Sequence, residues 1–374
     1  MLRYLTSGES HGRCVTAIVD GLPSGLVVSK RDVDAELLRR MFGYGRGKRM
    51  SIESDRSEIL SGLRKGVTIG SPVTILINNA DHSIDRLPVI LEPRPGHADL
   101  AGILKYGSKD ARDILERASA RETAARVGVG AISKILLKEF GISILSHVIQ
   151  IGRVSAMTKG MGFGKIHEMS EKSPVRCADP ASSKLMVKEI DNAKADGDTL
   201  GGIFEVVIKG VPAGLGSHVQ WDRKIDARLS MAMMSIQAIK GVSFGAGFEV
   251  SSLRGSEAHD EIFYEKQRGF FRRTNSAGGF EGGMTNGENL VIRAAMKPIA
   301  TLQKPLASVN IRTKKRVLAT VERSDVCALP SAGVVGEAVA AIEIANALIE
   351  KVGGDSIREM RRNFDGYLAQ IKRA

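Results

Sequence analysis

The sequence predicts an α+β fold in which antiparallel sheets and helices form separate layers. Predicted strands follow one another in pairs rather than alternating strictly with helices, which argues against a doubly wound parallel sheet. Other segments carry apolar residues at helical spacing. With 374 residues, 43% hydrophobic and 26% charged, the chain is long enough to bury a core without disulfides or a structural metal.

Six segments are predicted to be strands because they combine β-branched or apolar residues with flanking turn formers. They are residues 15–19, 73–77, 142–151, 203–208, 244–250 and 290–296. Apolar runs such as 73–77 are far shorter than the ~20 residues that cross a bilayer. The N-terminal residues also lack a secretory signal pattern. The sequence therefore predicts neither a membrane protein nor a secreted one.

The clearest helix signal begins at Ser29, which precedes Asp32 in a capping pattern and is followed by apolar residues at helical spacing. A longer segment, 110–140, is predicted to form one or two helices interrupted near Gly128 and Gly130. Further helices are predicted at residues 222–239, 334–352 and 355–371.

The charge balance predicts an anionic ligand. Lys and Arg number 54 against 42 Asp and Glu, giving a formal net charge of +12. Nucleic-acid binding is the alternative from another class of function, but aromatic residues are only 5% of the chain, too few to stack bases along a basic groove. Small phosphorylated or carboxylated ligands are favoured, and no nucleic-acid partner is expected.

The cysteines and histidines give no metal-binding pattern. Cys14, Cys177 and Cys327 are odd in number and widely spaced, and the seven histidines are scattered. The sequence predicts no metal site and three reduced thiols, as in a cytoplasmic protein.

Polar, glycine-rich clusters recur along the chain. Residues 8–12 (GESHG) place His11 in a segment that is either a capped turn or a ligand-binding loop. Residues 39–49 hold five cations and no acid. Because guanidinium groups grip phosphate and carboxylate, this segment is predicted to bind an anion, with a solvated basic loop as the alternative.

Two later clusters contain candidate proton donors and cations. His97 lies near Arg94 and Asp99 in a Pro/Gly-shaped loop, which indicates either a positioned proton donor or a structural turn. Arg117 and Arg121 are spaced i and i+4, so they are predicted to share one helix face, either around a ligand or in a salt-bridged surface.

The last two clusters lie near the C-terminal third of the chain. The glycine-rich segment 275–287 is typical of backbone N–H groups that face a flat or anionic ligand, with a disordered linker as the alternative. Asp325 beside Arg323 is either a carboxylate base held ionised or a surface ion pair.

Taken together and in order, these clusters resemble the chorismate synthase family. The segments are GESHG, RRMFGYGRGKRM, RPGHADLAGILKYG, RASARETAARVGVGAI, AGGFEGGMTNGENLVIRAAMKP and RSDVCALPSAGVV. The resemblance covers essentially the whole chain. It implies a single large domain over residues 1–374, a β-α-β sandwich with antiparallel sheets cored between helices, and a homotetramer.

The resemblance also implies the activity. Members of the family convert 5-enolpyruvylshikimate 3-phosphate to chorismate and phosphate by 1,4-trans elimination, a step towards the aromatic amino acids. They need reduced FMN although no net redox change occurs. NADPH enters only as a reductant, in those members that reduce their own flavin.

Site residues carry over by position. The implied catalytic residues are His11, which protonates the departing phosphate, His97, which protonates or polarises the reduced flavin, and Asp325, which relays the C6 proton. The implied flavin contacts are Arg117, Ala118, Ser119, Gln237, Ala238, Gly282, Lys297, Pro298, Ile299, Ala300, Thr301 and Arg323. The implied contacts to substrate or nicotinamide nucleotide are Arg40, Arg46, Arg49 and Arg121.

Two positions depart from the family pattern. His82 follows Asp81 where many members carry tryptophan, which is expected to alter only local packing. Gln237 stands where others have asparagine, so an amide is kept at the flavin with a different reach.

Overall fold

Two antiparallel sheets enclose a layer of helices in the computed structural model, which describes residues 1–47, 55–322 and 324–373. The strands are β1 Arg3–Ser7, β2 Cys14–Asp20, β3 Ser57–Ile59, β4 Leu63–Arg64, β5 Val67–Thr68, β6 Val73–Asn78, β7 Ser143–Ile151, β8 Val154–Ser155, β9 Gly202–Lys209, β10 Ile239–Phe244, β11 Ile262–Glu265, β12 Gly269–Arg272, β13 Phe280–Glu281, β14 Met284–Thr285, β15 Leu290–Met296, β16 Ala307–Val309 and β17 Arg316–Leu318. The helices are α1 Lys30–Met41, α2 Asp99–Tyr106, α3 Ala111–Ala118, α4 Thr123–Lys138, α5 Phe163–Lys172, α6 Pro180–Ala195, α7 Ile225–Met234, α8 Gly255–Ala258, α9 Leu329–Val352 and α10 Ile357–Arg373.

The first sheet has the strand order β1-β2-β6-β3 with antiparallel pairing throughout. Its β2–β6 register places Val15 opposite Ile77, and Val19 opposite Val73. These side chains alternate with more exposed ones and are fully or almost fully buried, so one face of the sheet is apolar. Helix α4 packs on this sheet through contacts with β2 and β6.

The second sheet has the order β10-β15-β9-β7-β8, again antiparallel. Helix α9 packs on β7 and β9 and also packs against α4, so the helices form the inner layer and the sheets the outer ones. On the opposite side of the second sheet, α5 and α6 contact β7. The predicted α+β class, with antiparallel sheets in a β-α-β sandwich, is confirmed.

Close packing of α4 against α9 depends on a glycine. A Cβ atom at Gly130 would lie 2.3 Å from the Cβ of Ala338, far inside van der Waals contact. The predicted interruption near Gly128 and Gly130 is wrong, because both glycines lie inside α4, where Gly130 faces α9 and Gly128 faces Ile75 of β6. The break comes earlier, at Ser119, whose extended backbone separates α3 from a 3₁₀ turn at Ala120–Glu122.

The predicted strand 244–250 is also wrong. Only Phe244 belongs to a strand, as the last residue of β10, and Gly247–Ser252 forms 3₁₀ turns. Gly245 and Gly247 have φ of 56° and 60°, a left-handed backbone that turns the chain away from the sheet.

The other predicted elements are confirmed with adjusted ends. Ser29 caps α1 by accepting a hydrogen bond from the backbone N–H of Arg31. The predicted helix 222–239 is shorter, as α7, because Ala238 adopts φ of 68° and the chain enters β10 at Ile239.

Helix α9 is buried on nearly all sides. Among the described residues it is the one helix long and apolar enough to cross a membrane, yet 83% of its most apolar stretch is buried within the fold. It is therefore a core helix. The main hydrophobic cluster that surrounds it includes residues from Leu2 to Phe364.

Candidate active site

The loop that carries His11 joins β1 to β2 and rests on α3. The Glu116 carboxylate accepts the backbone N–H of His11 at 2.7 Å and lies 2.9 Å from the imidazole Nδ1. The backbone N–H of Ser10 donates to the carbonyl of Glu116. Burial opposes ionisation of Glu116, but the hydrogen bonds from His11 outweigh it and lower the pKa of this carboxyl below its ordinary value. Glu116 is thus an ionised carboxylate that orients the ring.

Asn79, at the end of β6, joins the His11 loop to the arginines. Its amide group donates to the carbonyl oxygens of Glu9 and Gly12, at 3.1 and 2.7 Å. Its carbonyl oxygen accepts the Arg121 Nε–H at 2.7 Å. One buried amide therefore connects the loop and a predicted substrate-binding cation.

Arg121 and Arg40 share the carboxylate of Asp55. Arg121 and Arg40 each form an ion pair with one of its oxygens, the Arg40 contact at 3.1 Å. Arg40 also donates to the hydroxyl of Thr123 and the carbonyl of Ala120. Burial, partly offset by Asp55, lowers the pKa of Arg40 to about 10, so it stays a cation at neutral pH. Each of the three guanidinium nitrogens of Arg40 donates to a protein acceptor, so Arg40 is held rigidly in the site.

Arg46 lies next to Asp325, as the third basic side chain of the group. Its guanidinium is 3.0 Å from one Asp325 oxygen, and the other oxygen accepts the backbone N–H of Gly47 at 2.6 Å. The Arg46 Nε is buried and finds no hydrogen-bond partner among the described residues. The predicted partner of Asp325, Arg323, lies outside the described residues, as does Arg49.

The cations predicted to need an external anion are mostly neutralised from distant parts of the chain. Arg39 pairs with Glu36, Glu171 and the buried Glu337, none of which contacts Arg40. A cavity of about 510 Å³ opens there, lined by Arg39, Phe42, Gly43, Tyr44, Glu171, Lys172, Ser173, Pro174 and Arg176. Apart from the basic segment 39–49 itself, it shares no residue with the predicted site.

His97 lies in a second carboxylate-held loop. Its Nδ1 is hydrogen-bonded to Asp99, a carboxylate with no solvent exposure. Arg94 donates to both oxygens of Asp99, at 2.8 and 3.0 Å, and to the hydroxyl of Thr301 at 2.8 Å. Burial opposes ionisation of Asp99, but the bonds from His97 and Arg94 hold its pKa well below the ordinary range.

Several predicted flavin contacts meet beside this loop. The backbone N–H of Lys297 donates to the carbonyl of Ala238, and its ammonium donates to the carbonyl of Gly96 at 2.7 Å. Burial and the nearby Lys240 lower the pKa of Lys297. Ile299 is held by the hydroxyl of Thr199, which donates to its carbonyl at 2.8 Å.

A chain of hydrogen bonds connects Arg117 to Gln237. Arg117 donates to the carbonyl and hydroxyl of Thr6, whose hydroxyl donates to Glu122 at 2.8 Å. Gln237 donates to the other oxygen of Glu122 at 3.4 Å. Arg117 and Arg121 do not share a helix face as predicted, because α3 ends between them at Ala118 and their side chains diverge.

The remaining predicted contacts are placed less centrally. Ala118 ends α3, and Ser119 accepts the N–H of Arg121 with its hydroxyl. Gly282 lies at the turn between β13 and β14. A Cβ atom at this position would lie 4.0 Å from the Cβ of His218. His218 belongs to neither of the two loops that carry His11 and His97.

Three supporting residues escaped sequence reasoning. They are Asp55, Asn79 and Glu116, each of which contacts a predicted site residue far away in the chain. Glu116 stands next to the RASARET segment, yet no local pattern indicates that it faces His11, 105 positions earlier.

Comparison with known proteins assigns the family. The family model described as chorismate synthase matches residues 2–349. The chain belongs to the chorismate synthase family. It is 53% identical to the chorismate synthase of Geobacter metallireducens and 55% identical to that of Symbiobacterium thermophilum, each alignment covering all of both chains. A solved structure titled "Crystal Structure of Chorismate Synthase" matches with TM-score 0.84 and 44% identity, covering 100% of this chain and 99% of that one.

Chorismate synthase activity and the lyase class, which the resemblance implied, are thereby confirmed for this chain. The expectations for nucleic acid, membrane and oligomeric state stay predictions. In residues 1–47, 55–322 and 324–373 there is no cluster of three His, Cys, Asp or Glu side chains that could hold a metal ion.

The residues beside the His97 loop fit a flavin. The Gln237 Oε1 is buried without a hydrogen-bond partner in the described part of the chain. An orphaned acceptor of this kind suits the N–H edge of a heterocycle. The Lys297 ammonium and the backbone between Lys297 and Thr301 lie nearby to receive polar groups of the same ligand.

Proposed function

We propose that this chain uses reduced FMN to eliminate phosphate from 5-enolpyruvylshikimate 3-phosphate, with the site built around His11, His97 and the arginines Arg40, Arg46 and Arg121. The observation that carries the proposal is the pair of loops in which each histidine has a buried carboxylate at Nδ1. An acid–base reaction needs such positioned imidazoles.

The substrate carries two carboxylates and a phosphate, and the arginine group supplies the opposite charge. Arg46 has a buried nitrogen without a partner in the described residues, so a substrate anion would complete its hydrogen bonding. Arg40 and Arg121 are held in place by Asp55. We assign Arg49 to the same group by its place in the family segment.

His11 acts as the acid that protonates the departing phosphate. Its Nδ1 lies 2.9 Å from the Glu116 carboxylate, which stabilises the charged imidazolium before a proton is given up. A positioned acid contributes about 10² to 10⁴-fold in rate.

The flavin contacts are assigned to Arg117, Ala118, Ser119, Gln237, Ala238, Gly282, Lys297, Pro298, Ile299, Ala300, Thr301 and Arg323. Reduced flavin, when bound there, supplies transient electron donation to the allylic system. His97 donates a hydrogen bond or proton towards this region, and Asp325 receives the C6 proton. Among the described residues, each Asp325 oxygen takes one contact, from Arg46 or from Gly47, and keeps a further acceptor site for a proton.

We further propose that residues 1–374 form one catalytic domain, that four copies assemble into a homotetramer, and that the enzyme works in the cytoplasm. NADPH is required only if this chain reduces its own flavin.

Turnover of 5-enolpyruvylshikimate 3-phosphate under anaerobic conditions with chemically reduced FMN tests the proposal. Chorismate in this assay alone indicates dependence on an external reductase. Chorismate also in air with oxidised FMN and NADPH adds an intrinsic flavin reductase. No product in either assay from folded protein would overturn the proposed function.

A further inference from the structure

Glu116 faces two donors of one residue. Its Oε2 accepts the backbone N–H of His11 at 2.7 Å, and its Oε1 lies 2.9 Å from the ring Nδ1. The Glu116 side chain is only 2% exposed, so solvent cannot replace either bond. An ionised carboxylate has only acceptors, and therefore Nδ1 must carry a proton.

Among the described residues, the hydrogen bonds of the Glu116 carboxylate are made with His11. In the same part of the chain Glu116 is also paired with Arg112, whose Nη1 is 3.8 Å away, too far for a hydrogen bond. Arg112 instead donates to Glu322 at 2.9 Å. By contrast, the Asp99 carboxylate that holds His97 also takes two close bonds from Arg94.

We propose that Glu116 is the positioning residue of His11: it fixes the proton on Nδ1, so that the acidic proton exchanged during turnover is the one on Nε2. The catalytic part of this inference rests on the proposed function. The tautomer part concerns the free protein and stands without it.

Substitution by glutamine makes the inference testable because it changes the hydrogen-bonding pattern without changing the size. Glutamine offers one acceptor oxygen and one NH₂ group. The backbone N–H of His11 is always a donor, so the amide oxygen must face it, and the NH₂ must then face Nδ1. In Glu116→Gln the neutral ring therefore carries its proton on Nε2, and a proton added to Nδ1 meets another donor.

The experiment reads the tautomer directly. The full-length protein with ¹⁵N-labelled histidine is studied by magic-angle-spinning NMR at about pH 8.5, above the ordinary histidine pKa of ~6.5. His11→Asn identifies the His11 signals. We expect protonated Nδ1 in the wild type and in Glu116→Asp, which keeps two acceptor oxygens, and protonated Nε2 in Glu116→Gln. We also expect kcat of Glu116→Gln to fall by about 10²-fold or more, with KM changed less than about threefold.

Glu205→Gln is the matched control. Glu205 is a second buried carboxylate beside a histidine, 3.0 Å from the Nε2 of His147, and it lies outside the proposed site. This variant should keep kcat and the His11 tautomer. Thermal unfolding of both variants establishes that they are folded.

Three results would overturn the inference: an unchanged tautomer in Glu116→Gln, a switched tautomer with normal kcat, or an equal loss of kcat in folded Glu205→Gln. If the wild type made no chorismate, the proposed function would fail, while the NMR comparison would still decide whether Glu116 sets the tautomer.

Discussion

The side-chain oxygen of Asn79 accepts a hydrogen bond from the Arg121 Nε–H at 2.7 Å. The NH₂ group of the same side chain donates to two carbonyl oxygens of the loop that carries His11. The position of Arg121, which is proposed to bind an anion, and the position of His11, which is proposed to be the acid, therefore both depend on Asn79. The site depends on residues that neither bind substrate nor transfer protons.

Asn79→Ala should damage both functions at once. The variant leaves the carbonyls of Glu9 and Gly12 and the Nε–H of Arg121 without their partner, which costs about 1–3 kcal/mol of folding free energy. We expect urea unfolding to show this loss, and kinetics to show both a raised KM and a lowered kcat. A change in KM alone would show that the His11 loop does not depend on Asn79.

Asp99→Asn tests the second histidine loop. The buried carboxylate accepts from Arg94 and from His97, and an amide can satisfy only part of that set. We expect turnover to fall by about 10²-fold, as for His97→Ala. The midpoint temperature of thermal unfolding should also fall, because buried Arg94 loses part of its hydrogen bonding. Normal turnover in His97→Ala would remove His97 from the catalytic group.

Much of the fold follows from local sequence. Residues 73–77 are rich in β-branched residues, lie between turn formers and form β6, and Ser29 caps α1. These signals are readable because each lies within a few residues of the element it determines. The error at 244–250 arises in part because the left-handed turn at Gly245 packs closely against a segment that is distant in the chain. A Cβ at Gly245 would lie 2.1 Å from the carbonyl oxygen of Ser276.

The site was predictable only where its residues lie in recognisable segments. His97, Arg94 and Asp99 are close in sequence and in contact in the structure, an arrangement that fits both a positioned proton donor and a structural turn. The partners of His11 and Arg121 lie 105 and 42 positions away, and no local spacing reveals such pairs. The prediction of a shared helix face for Arg117 and Arg121 failed for a local reason, since α3 ends at Ala118 and the extended backbone of Ser119 separates them.

Gln237→Leu should weaken flavin binding. The substitution keeps the approximate size of the side chain and removes the buried acceptor Oε1 that has no partner in the described residues. We expect the Kd for FMN to rise about 10-fold, the equivalent of one lost hydrogen bond, measured by fluorescence titration. Gln237→Asn, which keeps the amide and introduces the residue that other family members carry, is the matched comparison. An unchanged Kd in the leucine variant would place Gln237 outside the flavin site.

Glu171 should make stability depend on acid pH. Burial opposes its ionisation, but Arg39 and Arg176 lower its pKa to about 2 from an ordinary value near 4.5. Because the folded-state pKa is the lower one, its stabilising effect is complete above about pH 4.5 and is lost as pH falls towards 2. We expect Glu171→Gln to cost about 1–2 kcal/mol at pH 7 and distinctly less at pH 3 in urea unfolding.

The control for this prediction is Glu168→Gln on the same helix. Glu168 pairs with Lys172 at the surface, where both side chains are more than half exposed. Its removal should change stability little at either pH. A pH-independent loss in Glu171→Gln would show that the effect of Glu171 comes from packing and not from its charge.

Gly130→Ala should destabilise the inner helical layer even though alanine is the better helix former by about 1 kcal/mol. The added Cβ would lie 2.3 Å from the Cβ and 2.5 Å from the Cα of Ala338, so α4 and α9 must move apart. We expect a net loss of about 1–3 kcal/mol in urea unfolding. Gly366→Ala on α10 is the matched control, because nothing lies within 4 Å of its Cβ, and it should stabilise by up to about 1 kcal/mol. Equal stabilisation of both variants would mean that the α4–α9 contact is looser than the structure has it.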